Sequence, residues 1–400
     1  ALAGKRNHLY YPLQQLRYLA PGLKEDGLLG GTRFFDAVTD DARLVQRVLG
    51  EARAEGAEAL NGMRVVELLR EDGRVTGLLA EDSETGLRYG FNTRAVAQAT
   101  GAWADQLRRK TGLEHIRPLR GSHLLLPAWR LPVVHAFSFM HAADKRPVFV
   151  FPWEGATVIG TTDLDHPAPL AEEARISPDE VEYLLAACAQ QFPAAQIKAA
   201  DVLSTWAGVR PVVSDGSEGR KPSDEKREHA LWVEPGCVTL AGGKLTTFRL
   251  LALEVLQACA PFVGRTVDDQ GAATFAPIPS QPMPTLSPAQ QKRLIGRYGR
   301  ALPQLLALLE ELGVEQVAGT DTLWAELAWA AEQELVLHLD DLLLRRTRLG
   351  LLLAQGAAAE LPRIRALCQA RLGWSDTRWQ WEEQVYLQLW QRCYSLPAED

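Results

Sequence analysis

The chain has 400 residues, 46% hydrophobic and 23% charged, enough to bury a large core and form two or three domains. Its formal net charge of −7, with no lysine- or arginine-dense run, excludes a general nucleic-acid binder. Cys188, Cys237, Cys259, Cys368 and Cys393 are scattered without metal-ligand spacing and read as reduced thiols of a cytosolic protein. The first residues carry no targeting pattern, and no unbroken apolar run is long enough to span a bilayer.

In chain order, residues 39–56 read as a helix, with Leu44, Val45, Val48 and Leu49 as its apolar stripe and Gly56 at its C-terminal end. The acidic residues Asp36, Asp40 and Asp41 around its start suit the helix dipole whatever the function. A β meander follows: residues 63–69, a turn at Asp72-Gly73, residues 75–80, a turn near Thr85-Gly86, and residues 89–99. It ends in Gln98-Ala99-Thr100-Gly101-Ala102-Trp103, where a strand running into Thr-Gly can bring backbone against a cofactor.

His123 lies at the mouth of an apolar strand in Arg120-Gly121-Ser122-His123-Leu124-Leu125-Leu126-Pro127. As a neutral imidazole it can take the hydroxyl proton of a secondary alcohol while hydride leaves the carbon; the plainer role is a histidine hydrogen-bonded in the core. His115, His135, His141 and His338 lack such a context and read as structural. Residues 148–151 and 156–161 form a hairpin through Glu154-Gly155, with Thr161 to Asp163 expected near the site. Ser177-Pro178-Asp179-Glu180 is a capping box with an Ile176/Val181 staple, opening a helix that carries Val181, Leu184, Leu185 and Cys188 on one face.

Arg210 sits in a Gly-Val-Arg-Pro run, and the proline restricts its backbone to extended geometry. A guanidinium held that way binds a phosphate or carboxylate bidentately, or pairs with a neighbouring acid such as Asp215. In Gly242-Gly243-Lys244-Leu245-Thr246-Thr247-Phe248-Arg249 two glycines permit close backbone approach, and the following helix start turns free N–H groups toward a ligand. Lys244 stands either by a substrate phosphate or by a reduced flavin ring; a solvated lysine there would oppose the helix dipole. Pro277, Pro279, Pro282 and Pro284 mark a linker at 276–286, and from Ser287 onward the pattern is almost wholly helical. Trp374, Trp379, Trp381 and Trp390 suit either a membrane interface or ordinary core packing.

These motifs together resemble the FAD-dependent, quinone-linked glycerol-3-phosphate dehydrogenases over residues 20–350. The most specific pieces are the Gly-Val-Arg-Pro run, the Gly-Gly-Lys-Leu-Thr-Thr-Phe-Arg run and Asp340-Asp341-Leu342-Leu343-Leu344-Arg345-Arg346-Thr347-Arg348. Residues 98–103 are similar to the family's Asn-Ala-Thr-Gly-Pro-Trp, with Gln98 and Ala102 substituted. Phe35-Asp36-Ala37 and Asp40–Leu44, and the strands at 144–153 and 158–163, complete the likeness. The resemblance implies a mixed α+β and α/β, glycine-oxidase-like flavoprotein with an all-α C-terminal domain. Residues 1–275 would hold partial FAD and substrate domains, the substrate part mainly at 1–35 and 115–235, and residues 287–400 the helical domain.

The implied reaction oxidises sn-glycerol 3-phosphate to dihydroxyacetone phosphate, with hydride passing to FAD and electrons to quinone. The carry-over makes His123 the proton acceptor or substrate ligand, and Arg210 and Lys244 cations around phosphate and flavin. Thr100, Gly101, Gly243, Leu245 and Thr246 would contact FAD through their backbone, with Val65 near the adenine. The family's Gly-x-Gly-x-x-Gly unit is not found in the sequence, so the expectation is a chain that begins after it, binds FAD weakly or not at all alone and is inactive as a fragment, the activity belonging to the intact protein. A cytoplasmic protein, peripheral on the cytoplasmic membrane or free, and a homodimer are compatible with this reading. The alternatives are an oxidase passing electrons to oxygen, and a non-catalytic remnant acting as an interaction module.

Overall fold

The computed structural model describes residues 8–108, 115–214, 228–269, 271, 273–278 and 281–398; Asp215 and Pro279 lie outside them. A small ribbon, β1 (Leu9–Pro12) with β2 (Gly30–Arg33), is crossed by α1 (Leu13–Leu19). The expected first helix is α2 (Asp41–Ala54), with the Asp40 carboxylate accepting from the Arg43 N–H at 3.0 Å as its N-cap. Its stripe is not the buried face: Val45 is exposed, Leu44, Val48 and Leu49 are half-buried, and the one fully buried side chain is Arg43. An ionic network, described below, therefore anchors this helix where apolar packing was expected.

The meander forms as β3 (Met63–Glu71), β4 (Arg74–Asp82) and β5 (Arg88–Asn92), but its last segment does not continue to residue 99. The chain leaves that sheet after Asn92 and restarts as β6 (Val96–Gln98), because these residues pair in parallel with a strand that lies far away in sequence. After Gly101 the chain turns through α3 (Ala104–Leu107).

The central sheet has six strands: β7 (His115–Pro127), β8 (Phe137–Met140), β9 (Pro147–Trp153), β10 (Ala156–Gly160), β11 (Leu164–Asp165) and β12 (Ser204–Ser214). The hairpin of β9 and β10 turns at Glu154-Gly155, both at positive φ. One edge of β7 carries β12 along its whole length, and the other carries β10 and then β11. Alternation sends Leu124, Leu126, Val148, Val150 and Ile159 to one face, where α4 (Pro178–Gln191) covers them with Ile176, Val181, Leu184 and Cys188. The capping box forms as expected, and Glu180 does more than cap. Buried, it accepts from Ser122 Oγ at 2.8 Å and Thr162 Oγ1 at 2.6 Å and pairs with Arg120 at 2.7 Å, pinning α4 to the sheet.

The chain then adds β13 (His229–Glu234), β14 (Cys237–Gly242) and α5 (Phe248–Val263). The 19-residue helical stretch Leu245–Val263 is long and apolar enough, by length and composition, to cross a membrane, and only 11% of its most apolar window is buried. Arg249 and Glu254 interrupt the apolar run along this stretch. The helices that follow are α6 (Pro288–Tyr298), α7 (Leu302–Leu312), α8 (Trp324–Gln333), α9 (Leu349–Leu352), α10 (Leu361–Cys368) and α11 (Asp376–Cys393). Their core joins Leu327, Leu342, Leu343 and Leu349 to Leu125, Ala156 and Val158 on the second face of the central sheet. Trp379 and Trp390 are buried in that core and Trp374 packs against it, so core packing takes three of the four tail tryptophans; only Trp381 is exposed.

Salt bridges tie α2 to these helices. Arg43 pairs with Glu334 at 2.7 Å, both nearly inaccessible, and Arg297 reaches Asp40 at 3.2 Å and Glu154 at 2.8 Å. Arg348, from the last specific sequence run, also pairs with Asp40. Burial alone would raise the Asp40 carboxyl, but the hydrogen bond and charge of Arg348 and the charge of Arg297 outweigh it and hold it down at about 2.

Replacing Glu180 leaves Arg120 without its buried counter-charge and removes the acceptor of four donors, the hydroxyls of Ser122, Thr162 and Ser177 and the Ser177 N–H. Glu180→Ala is expected to cost about 3 kcal/mol in denaturant unfolding, against about 1 kcal/mol for Ser177→Ala, which removes only the cap. Equal losses would show that Glu180 acts as a cap alone.

Candidate active site

The long pairing of β7 with β12 sets His123 opposite Trp206, Gly121 opposite Gly208 and Leu119 opposite Arg210. Residues 121 and 123 share a face, as do 206, 208 and 210, so these groups converge on the side of the sheet that the C-terminal helices cover only in part. The imidazole of His123 lies over Gly160 of β10: a Cβ there would sit 2.1 Å from its Cδ2. Its other side stacks on Trp206, with ring centroids 4.8 Å apart. Trp206 contacts Trp153 at 5.3 Å, and the Arg348 guanidinium lies 5.5 Å from the Trp153 ring centroid.

The Arg210 side chain crosses β7 over Gly121, where a Cβ would stand 2.3 Å from its guanidinium. On the far side it meets the irregular segment between β10 and β11. It donates to Thr161 Oγ1 at 3.1 Å and Thr162 O at 3.4 Å, and pairs with the Asp163 carboxylate at 3.2 Å. Asp163 is buried and also pairs with Arg146 at 3.1 Å. The Gly-Val-Arg-Pro arginine is thus held extended and fixed, with 30% of its side chain still accessible.

Nδ1 of His123 is buried and has no hydrogen-bond partner among the described residues. Burial, and secondarily the positive charge of Arg210, push the imidazole down to about 4. The ring is neutral at physiological pH, which is the form that accepts a proton.

A second edge runs into this site. β14 pairs with β6 in parallel, so Thr100-Gly101 and Gly242-Gly243-Lys244 leave the same end of two neighbouring strands. β12 joins this edge to the first: Pro211 lies 4.0 Å from the Cβ position of Gly101, and Val213 lies 3.3 Å from that of Gly242. Gly101, Gly242 and Gly243 all have positive φ, and a Cβ on Gly243 would meet Leu251 at 2.7 Å. Lys244 precedes a single 3₁₀ turn, Leu245–Thr247, before α5. It is exposed and makes no ion pair among the described residues. Leu245 and Thr246 are exposed beside it. Gln98, where the resemblance has Asn, is buried: its amide donates to Thr100 Oγ1 at 3.2 Å and Ala104 O at 2.8 Å, and its oxygen accepts from Thr239 at 3.1 Å. The longer side chain therefore holds the Thr100-Gly101 turn from within.

This edge fits a flavin. Two glycine-permitted turns expose backbone at the C-terminal end of a parallel pair, with a cation at one turn and an unpartnered imidazole nitrogen on the adjoining sheet. His123 and Arg210 share one face of the sheet, near enough for the Arg210 charge to act on the imidazole, and Thr100, Gly101, Gly243, Lys244, Leu245 and Thr246 share the neighbouring edge. Val65 stands apart, half-buried on β3 opposite Ala80, in a different sheet. Sequence reasoning missed Trp206 as a wall for the imidazole, and Gly121 and Gly160 as the floor for two functional side chains. Nothing local marks Gly160 or Gly121 as these floors, because each lies under a side chain from a neighbouring strand.

Comparisons with known proteins agree with this geometry. The FAD-dependent oxidoreductase family profile matches residues 2–249, and the profile described as the C-terminal domain of alpha-glycerophosphate oxidase matches residues 238–379. The fold and site define an FAD-dependent oxidoreductase. The aerobic glycerol-3-phosphate dehydrogenase of Bacillus subtilis is 31% identical over 397 residues, covering 91% of this chain and 69% of the relative. Glycerol-3-phosphate dehydrogenase 2 of Mycobacterium bovis is 33% identical over 353 residues, covering 83% of this chain and 59% of its own length. The chain belongs to the FAD-dependent glycerol-3-phosphate dehydrogenase family, and it spans 59% to 69% of the length of these two relatives. The fold matches the glycerol-3-phosphate dehydrogenase from Bacillus halodurans, solved in complex with FAD, with a TM-score of 0.75 at 24% identity, covering 95% of this chain and 79% of that one.

An imidazole pushed down to about 4 binds its proton later than the free side chain at about 6.5. The contribution of His123 to stability is therefore full above about pH 6.5 and declines as pH falls toward 4. NMR titration of the His123 ring is expected to give a midpoint near 4 in the folded protein. A midpoint near 6.5 would contradict the packing described.

Proposed function

We propose that the protein oxidises sn-glycerol 3-phosphate at C2 to dihydroxyacetone phosphate. The observation that carries this reading is the meeting, on one partly open sheet face, of a fixed arginine and a neutral histidine, next to a glycine-turned edge that fits a flavin. When bound, FAD supplies the two-electron acceptor that takes the C2 hydride. His123 accepts the C2 hydroxyl proton, so the alcohol loses one hydride and one proton and becomes a ketone. Arg210, preset by Asp163 and Thr161, binds the phosphate dianion in a forked geometry, and Lys244 adds charge from the flavin edge. Trp206 and Gly160 keep the imidazole in a single orientation and limit its access to water. Thr100, Gly101, Gly243, Leu245 and Thr246 hold the cofactor by backbone contacts, and Val65 lies toward its adenine.

Quinone as the electron acceptor, attachment at the cytoplasmic face of the membrane and a homodimeric assembly complete the reading. The exposed apolar surface of α5, including Leu250 and Leu256, supports membrane attachment directly beyond Lys244.

Arg210→Ala is expected to raise KM for sn-glycerol 3-phosphate by about a hundredfold, the loss of a charge-assisted, bidentate contact worth about 3 kcal/mol. Gly121→Ala, which pushes on the movable end of Arg210 and not on backbone, should raise KM in the same direction while leaving the fold intact. His123→Asn should lower kcat by about 10²- to 10⁴-fold with a smaller change in KM. Steady-state kinetics of the FAD-loaded protein test all three. An unchanged KM in both arginine-displacing variants would remove Arg210 from the phosphate site. Rapid reoxidation of the reduced flavin by air would favour oxygen over quinone.

A further inference from the structure

A cleft of about 440 Å³ lies between α2 and the helices α6 to α8, away from the His123 site. Arg43, Arg47 and Arg53 of α2 line it from one side, and Arg297 and Arg300 from the other. Arg43 is neutralised by Glu334, Arg297 by Asp40 and Glu154, and Arg300 reaches Glu51 at 3.3 Å. Arg47 and Arg53 have no ion pair among the described residues, so the cleft holds more fixed positive charge than its own carboxylates cancel.

Arg47 is the built part of this cleft. Its guanidinium donates to the Gly296 carbonyl at 3.1 Å and lies 4.4 Å from the Phe275 ring centroid. It also rests over Gly299, a residue at positive φ where a Cβ would come within 2.6 Å of it. Three contacts thus fix a half-buried cation that makes no ion pair among the described residues. Burial holds its guanidinium below the ordinary arginine value, with Glu51 offsetting part of the effect. Glu51 offsets its charge only in part, so a ligand that brings further negative charge is favoured here.

We propose that this cleft binds a small phosphate-bearing anion of at least two negative charges, at a site separate from Arg210. Guanidinium forks match phosphate oxygens in pairs, and the uncompensated charges of Arg47 and Arg53 call for more than a single carboxylate. The cleft volume falls in the ordinary range for small-ligand sites.

Calorimetric titration with inorganic pyrophosphate tests the proposal on the wild-type protein and on Arg47→Ala, Arg53→Ala and Arg210→Ala. Pyrophosphate binding is expected to persist in Arg210→Ala, to weaken about tenfold or more in Arg47→Ala, and to weaken severalfold in Arg53→Ala. Arg53 is exposed on the helix surface, so its variant keeps the test valid if Arg47→Ala does not fold. No binding, binding lost through Arg210→Ala, or binding indifferent to both α2 variants would overturn the proposal. Turnover of sn-glycerol 3-phosphate, measured separately, reports on the Arg210 site and leaves the two readings independent.

Discussion

The register between β7 and β12 is the constraint on which the site depends. Eleven consecutive pairs, from Ser204 opposite Leu125 to Ser214 opposite His115, place His123, Trp206, Gly121 and Arg210 on one face. A slip of β12 by one residue would turn Trp206 and Arg210 to the opposite face, away from His123 and Gly121. The register is well specified because both faces are committed. Leu124 and Leu126 are buried against α4, and Leu125 is buried against the C-terminal helices. The same strand carries Pro211 and Val213 to Gly101 and Gly242, so one ribbon aligns the substrate groups with the cofactor edge.

Glycine does the fine positioning. Arginine and histidine side chains reach across a neighbouring strand only where that strand presents no Cβ, and Gly121 and Gly160 provide those two gaps. The C-terminal helices then close part of the face through a polar column: Asp40 pairs with Arg348, Arg348 lies over Trp153, and Trp153 meets Trp206 beside His123. This column explains why an acidic helix start and an arginine 308 positions later in the chain both belonged to the recognisable pattern.

Local features were legible in the sequence. The capping box at Ser177, the hairpin through Glu154-Gly155 and the helix after Asp40 follow from short-range chemistry, and the family followed from three specific runs. Long-range pairing was not legible. Residues 89–99 look like one strand, yet Val96 to Gln98 leave the meander to pair with β14. The stripe of Leu44, Val45, Val48 and Leu49 suggested apolar docking, but Arg43 and its buried partner Glu334 provide the anchor, and no local pattern marks a partner 291 residues away. Gln98 stands where the resemblance has Asn, and only its three bonds in the folded chain show how the longer amide serves the turn.

The central claim is that His123 and Arg210 form one alcohol-oxidising site at a flavin edge. Anaerobic titration of the FAD-loaded protein with sn-glycerol 3-phosphate, followed by visible absorbance, tests it most directly. The account predicts that wild-type flavin bleaches, and that bleaching is slowed by about two orders of magnitude or more in His123→Asn and needs far higher substrate in Arg210→Ala. Equal bleaching in all three proteins would contradict it.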